Sequence, residues 1–89
     1  MKKFATIVCS RRFDVRLSSV PVNARQAIER ALHHLAVRLD TFPHQKLKGV
    51  DAYKLRVGNF RLVYDFNRGE GRIDALAIGD RKDIYERFL

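Results

Sequence analysis

The stretch that most constrains the fold is residues 53–66, Tyr-Lys-Leu-Arg-Val-Gly-Asn-Phe-Arg-Leu-Val-Tyr-Asp-Phe. Apolar and polar residues alternate on both sides of a Gly-Asn pair, which is the periodicity of two β-strands. A Gly-Asn pair suits a two-residue turn with glycine in the first, positive-φ position. Such a turn fixes the register, so we predict a hairpin in which Arg56 lies opposite Arg61. The other predicted pairs are Val57 with Phe60, Leu55 with Leu62, and Lys54 with Val63.

The predicted hairpin has one apolar face and one cationic face. The apolar face must be covered by other parts of the chain. The other face carries Lys54, Arg56 and Arg61, and directly opposed side chains lie about 5 Å apart across a strand pair. Like charges at that separation are destabilising, and Asp65 is the only acid predicted on the same face. Such a cluster is explained if an anion binds there, and the alternative is a solvated basic face without a function.

Length and charge narrow the class of protein. With 89 residues the chain is expected to form one domain, residues 1–89, and its 46% hydrophobic and 10% aromatic content excludes a disordered chain. The formal net charge of +8 points to a polyanionic partner such as nucleic acid, a membrane surface or an acidic protein. Part of this charge is expected on the outer face of the first predicted helix, as Arg11, Arg12 and Arg16.

Cysteine content and hydropathy bear on location and cofactors. Cys9 is the only cysteine, which excludes an internal disulfide and fits a reducing cytoplasm. No apolar stretch approaches transmembrane length, and the initial Met-Lys-Lys is not followed by the apolar segment of a signal peptide. We therefore expect a cytoplasmic protein without a membrane partner. The sequence contains no phosphate loop, Ser-His-Asp spacing or metal-ligand cluster, so we expect no cofactor and no metal.

Hydrophobic periodicity predicts the remaining elements. The predicted order is β-α-α-β-β-β with a short C-terminal turn or helix, over residues 4–9, 11–20, 24–39, 53–57, 60–66 and 72–78. We therefore predict a small single-domain α+β fold, in which two N-terminal helices pack on one face of an antiparallel sheet. Lys54, Arg56 and Arg61 would lie on the uncovered face. Arg81 and Tyr85 would reach that face from its C-terminal edge.

Three ordered blocks of the chain resemble the core pattern of the RelE/ParE toxin superfamily. They are residues 46–49 (Lys-Leu-Lys-Gly), 53–64 within the hairpin, and 77–85 (Ala-Ile-Gly-Asp-Arg-Lys-Asp-Ile-Tyr). The resemblance covers nearly the whole chain and is closer to the RelE-like mRNA endonucleases, or mRNA interferases. It implies the toxin of a type II toxin–antitoxin system that cleaves mRNA in the ribosomal A site. In that reaction the 2′-OH of the RNA attacks the adjacent phosphodiester.

The resemblance also implies roles for individual residues. The chemistry needs a base or cation near the 2′-OH, positive charge on the phosphorane and a proton for the departing 5′-oxygen. Lys54 matches the catalytic lysine, and Arg61 matches the arginine beside the scissile phosphate. Arg81 matches a second phosphate or leaving-group residue, and Tyr85 the tyrosine that stacks on or orients the nucleotide. The expected RNA-binding residues are Lys46, Lys48, Arg56 and Lys82.

Two positions keep other functions open. Ala52 stands where some members carry a second lysine, and Asp80 stands where many relatives carry His or another base. They keep open a catalytically weakened RNA- or antitoxin-binding member. The superfamily also includes ParE-like toxins that inhibit DNA gyrase without cleaving RNA, which is the other alternative. The expected partners are an acidic antitoxin, the ribosome and mRNA. We expect a monomer when the protein is free and a hetero-oligomer with the antitoxin.

Overall fold

A computed structural model describes residues 4–81 and 83–86 of the chain. The elements along these residues are β1 (Thr6–Cys9), α1 (Arg11–Ser18), α2 (Val22–Val37), β2 (Gln45–Lys46), β3 (Tyr53–Val57), β4 (Phe60–Asn67), β5 (Arg72–Gly79) and α3 (Asp83–Glu86). The two-residue strand β2 lies in a segment where the sequence predicts no regular structure. Within the described ranges, no helix is both long and apolar enough to cross a membrane.

The five strands form one sheet in the order β1-β5-β4-β3-β2. Strands β2 to β5 pair antiparallel with their neighbours, whereas β1 runs parallel to β5, with Ile7 opposite Ile73. The small α+β fold with two helices on one face is confirmed. The sheet is mixed rather than wholly antiparallel, because β1 runs parallel to β5, a strand that is distant from it in the chain. Alternation of apolar residues specifies the faces of a strand and not its neighbour.

The hairpin β3–β4 has the predicted register. Arg56 lies opposite Arg61, Leu55 opposite Leu62, and the remaining predicted pairs are also present. Gly58 has a φ of 59°, a conformation that costs glycine little because it has no Cβ. The two-residue turn therefore places three cations on one face of the sheet, as the sequence predicts.

Ser10 fixes the start of α1 to the sheet. Its Oγ accepts a hydrogen bond from the backbone N–H of Phe13 at 3.1 Å, as an N-cap does. The same hydroxyl donates to the carbonyl oxygen of Leu76 at 2.9 Å. Leu76 is the extra residue of a β-bulge, where the pairing of β4 and β5 shifts between Val63 and Tyr64. The cap therefore also satisfies a carbonyl in an irregular part of the sheet.

The main hydrophobic core lies between the helices and one face of the sheet. Its fully buried side chains come from α1, α2, β4 and β5: Phe13, Ile28, Leu35, Leu62, Tyr64 and Ile73. Partly buried Leu55 and Val57 of the hairpin pack against the same core. The apolar stripe of α2 thus covers the apolar face of the hairpin, as the sequence predicts.

The opposite face of the sheet carries a second, smaller hydrophobic cluster. Its buried members are Leu47, Ala52, Val63, Ala77 and Ile84. Val63 has no exposed surface, because the segment after β2 and helix α3 cover this part of the sheet. The prediction of an uncovered face is therefore wrong around Val63. We call this face the cationic face, since the rest of it carries the hairpin cations.

Candidate functional site

Three cations of the hairpin, Lys54, Arg56 and Arg61, form what we call the cationic cluster. Lys54 and Arg56 are exposed, and Arg61 is partly buried. The Nε of Arg56 donates to the carbonyl of Gly58 at 3.2 Å, and Nη1 of Arg61 donates to the carbonyl of Asp80 at 3.4 Å. Among the described side chains, no carboxylate forms an ion pair with these cations. Within this part of the chain, the positive charge of the cluster is therefore not balanced by an adjacent acid.

Helix α3 brings Tyr85 to the cationic cluster. The Nζ of Lys54 lies 5.8 Å from the centroid of the Tyr85 ring, within the range of a cation–π interaction. Ile84, which is buried, anchors the short helix on the sheet beside Gly79. A Cβ at Gly79 would lie 3.2 Å from the Cβ of Ile84, so glycine permits this close approach. Packing of one side chain thus positions the aromatic ring.

The pKa of the Tyr85 phenol depends on its burial and on the nearby arginines. Burial raises the pKa of Tyr85 above its ordinary value, and the positive charges of Arg61 and Arg56 partly oppose this rise. The hydroxyl therefore keeps its proton at neutral pH. A neutral phenol beside guanidinium groups can donate a hydrogen bond or stack on a base.

Arg81 follows Asp80 after the end of β5 and is exposed. It lines a groove of about 490 Å³ between α1 and the turn after β5, together with Arg12, Arg16 and Asp80. We call this the α1 groove. The carboxylate of Asp80 is 3.8 Å from Nη2 of Arg16, while its backbone carbonyl accepts from Arg61. Asp80 thus lies between the α1 groove and the cationic cluster.

The four expected RNA-binding residues are placed differently. Arg56 belongs to the cationic cluster, and Lys48 is exposed in the turn after β2. The strand register places Lys46 on the sheet face opposite to that of Lys54. The Nζ of Lys46 lies 3.2 Å from the carboxylate of Asp51. Lys82 lies outside the described residues.

His44, which the sequence analysis did not single out, belongs to an aromatic cluster of the main core. Its Nε2 is 2.8 Å from the carbonyl of Leu39, and its Nδ1 is 2.6 Å from the hydroxyl of Tyr64. Because a carbonyl only accepts, Nε2 donates to Leu39, and in the neutral ring Nδ1 then accepts from Tyr64. The ring also stacks on Phe66, with centroids 4.0 Å apart. His44 thus satisfies the one polar atom of a buried tyrosine side chain.

Sequence reasoning also missed the association of Arg12 and Arg16 with Arg81. Two arginines four residues apart share one face of a helix, and this spacing is the only signal that the sequence contains. Their approach to Arg81 depends on how α1 packs against the end of β5. Among the described residues, no group of three or more His, Cys, Asp or Glu side chains is arranged to hold a metal ion.

Comparisons with known proteins agree with this architecture. Residues 11–85 match the family model described as the ParE toxin of the type II toxin–antitoxin system parDE. No significant match to a curated protein was found. A chain of the intact Escherichia coli RelBE toxin–antitoxin complex superposes with a TM-score of 0.72 at 20% identity, over 88% of this chain and 98% of that chain.

Two archaeal structures are similar in the same way. A chain of the RelE–RelB complex from Pyrococcus horikoshii OT3 has a TM-score of 0.72 at 22% identity, over 89% of this chain and 97% of that one. A chain of the RelB–RelE complex from Methanococcus jannaschii has a TM-score of 0.63 at 26% identity, over 92% of this chain and 99% of that one. The chain belongs to the ParE toxin family within the RelE/ParE superfamily and is a toxin of a type II toxin–antitoxin system with a RelE-like fold.

Proposed function

We propose that this toxin is an endoribonuclease that cleaves mRNA on the ribosome. The observation that carries the proposal is the cationic cluster beside Tyr85, in which no described carboxylate balances the charge. Opposed cations destabilise a strand pair unless an anion binds between them. A phosphodiester provides that anion, and the aromatic ring provides a surface for a base. Lys54, Arg61 and Tyr85 therefore form the core of the proposed active site.

The proposed reaction is transfer of the phosphoryl group to the neighbouring 2′-oxygen. The 2′-OH gives its proton to solvent and forms a bond to phosphorus, the bond to the 5′-oxygen breaks, and that oxygen takes a proton from solvent. Lys54 acts beside the 2′-OH, and Arg61 stabilises the charge that grows on the phosphorane. Tyr85 orients the nucleotide, and we assign Arg81, which lies two residues beyond the Gly79 that pairs with Arg61, to the departing oxygen. The products are a 2′,3′-cyclic phosphate and a free 5′-OH.

The test uses a variant that lacks the Arg61 side chain but is expected to keep the fold and to bind ribosomes. Loss of a preorganised cation at the transition state costs about a hundred- to a thousand-fold in rate. We expect Arg61→Ala to fold, to bind ribosomes, and to lose cleavage by that factor when mRNA 5′ ends are mapped after induction. Arg30→Ala is the matched control, because Arg30 is an exposed arginine on α2. Melting curves establish that both variants fold before rates are compared.

A second candidate is a non-nucleolytic toxin that inhibits DNA gyrase. The match to the ParE model over residues 11–85 favours it. The same variants separate the two candidates when gyrase supercoiling is measured beside mRNA cleavage. Full toxicity of folded Arg61→Ala, with inhibited supercoiling and intact mRNA, would replace the nuclease proposal by this one. Cleaved mRNA with unaffected supercoiling would remove the second candidate.

We further infer that an acidic antitoxin neutralises this protein. Structures of RelE-like chains in complex with RelB antitoxins support such a partner, and the net charge of +8 favours an acidic one. A disordered acidic segment can fold over a large basic surface when it binds. We expect the protein to co-purify with a small acidic chain from its native host. Harmless accumulation of the folded protein in cells without that chain would contradict the inference.

A further inference from the structure

We propose that the α1 groove, through Arg12 and Arg16 of α1, is a second RNA-binding site that holds backbone phosphates beyond the one that is cleaved. This proposal rests on the nuclease function proposed above and extends it to the path of the RNA. It differs from the assignment of the cationic cluster, because the α1 groove lies between α1 and the turn that follows β5. Its occupant is an RNA phosphodiester, which guanidinium groups bind in a bidentate manner.

The geometry of the groove suits successive phosphates of an RNA backbone. Arg12 and Arg16 are four residues apart on α1, so they lie on one face of the helix and about 6 Å apart along its axis. Arg81 lines the same groove from the sheet side. The lining therefore presents guanidinium groups from two elements, and Asp80 is the one acid among its described residues.

Asp80 connects this groove to the cationic cluster. Its backbone carbonyl accepts a hydrogen bond from Arg61 at 3.4 Å, and its carboxylate lies 3.8 Å from Arg16. An RNA strand bound at Arg61 therefore has to pass only Asp80 to reach the α1 groove. This continuity favours RNA over an acidic protein segment as the occupant, since the same ligand then contacts both basic surfaces.

The carboxylate of Asp80 acts as an internal competitor for the phosphate. The side chains of Arg16 and Asp80 are 48% and 60% exposed, so their ion pair is weak and a phosphate can displace the carboxylate. Removal of that carboxylate should therefore strengthen RNA binding. The expected gain is at most about five-fold, because exposed ion pairs contribute little.

The first experiment measures the salt dependence of binding to a short, fully 2′-O-methylated RNA, which lacks the attacking hydroxyl. Removal of one phosphate-binding cation lowers the slope of log K against log salt by about 0.7 for a single strand. We expect this decrease for Arg12→Gln and for Arg16→Gln, and no decrease for the matched control Arg30→Gln. Asp80→Asn should bind more tightly, whereas Asp40→Asn, which removes the same charge beside Arg68, should not.

The second arm repeats the measurement with ribosomes programmed with the same RNA. A decrease in both arms assigns the groove to mRNA, and a decrease on ribosomes alone assigns it to ribosomal RNA; either result supports the proposal. Unchanged slopes in both arms overturn it. An effect of Arg12→Gln and Arg16→Gln that appears only when an acidic peptide replaces the RNA also overturns it. Since no arm requires cleavage, a protein that binds RNA through this groove without cutting it would refute the nuclease function alone.

Discussion

The two faces of the sheet are built from neighbouring residues but are covered to very different extents. Leu62 lies in the main core beneath the helices, whereas the next residue, Val63, lies under Leu47 and Ile84 on the cationic face. Two helices cover the first face, and a short segment with one four-residue helix covers part of the second. Most of the stability is therefore expected from the first face. On the second face, a small apolar cluster positions charged groups.

The largest expected effect comes from the main core. Leu62→Ala removes a side chain with no exposed surface and leaves a cavity, which typically costs about 2–5 kcal/mol. Chemical denaturation of the variant measures this decrease in the free energy of unfolding. A decrease as small as that of an exposed site would mean that the helices do not cover this face in solution.

The next largest effect tests the smaller cluster. Val63→Thr places a hydroxyl where the valine has no exposed surface, and an unsatisfied buried hydroxyl costs about 1–3 kcal/mol. Chemical denaturation measures the change in the free energy of unfolding. A cost below about 0.5 kcal/mol, typical of surface positions, would show that α3 does not cover Val63.

A smaller effect concerns Tyr64, whose hydroxyl donates to His44 in the main core. Tyr64→Phe should lose about 1 kcal/mol at neutral pH with this hydrogen bond. Burial also raises the pKa of Tyr64 above its ordinary value of 10.0, with Tyr53 adding to the rise. The unfolded chain therefore releases this proton first, and its contribution is constant below pH 10 and declines above it.

We expect the stability of the native protein to fall more steeply above pH 10 than that of Tyr64→Phe. Urea denaturation at a series of alkaline pH values measures both slopes. Tyr53→Phe is the control, since its ring packs against Tyr64 with centroids 5.7 Å apart and should leave the steep decline in place. Parallel curves for the native protein and Tyr64→Phe would argue against a buried, protonated Tyr64.

The smallest expected effect tests the repulsion within the cationic cluster. Arg56→Thr removes one of two directly opposed arginines and should leave stability unchanged or raise it by about 0.5 kcal/mol. The gain should vanish at high salt, where exposed charges are screened. Lys54→Thr is the control, because Lys54 lies opposite Val63 and Gln45, which carry no charge. A marked destabilisation by Arg56→Thr at low salt would show that repulsion between Arg56 and Arg61 does not lower the stability.

Much of the hairpin and its charges could be predicted because the determinants are local. A two-residue turn and strict alternation leave one register, so the opposition of Arg56 and Arg61 follows from residues 53–66 alone. The apolar stripe of α2 was predictable because the spacing of apolar residues along one helix is also a local property. The bulge beside Val63 was not, because one extra residue in β5 leaves no mark in the alternation of β4.

The sequence by itself determined the hairpin register, the stripe of α2 and the unbalanced charge of the cationic cluster. Only the tertiary structure decided that β1 joins β5 in parallel, that α3 covers Val63, and that α1 lies beside Arg81. The reason is the range of the interactions. Turn geometry and periodicity act between neighbours in the chain, whereas the bond from Ser10 to Leu76 spans 66 positions and forms only when the whole core packs.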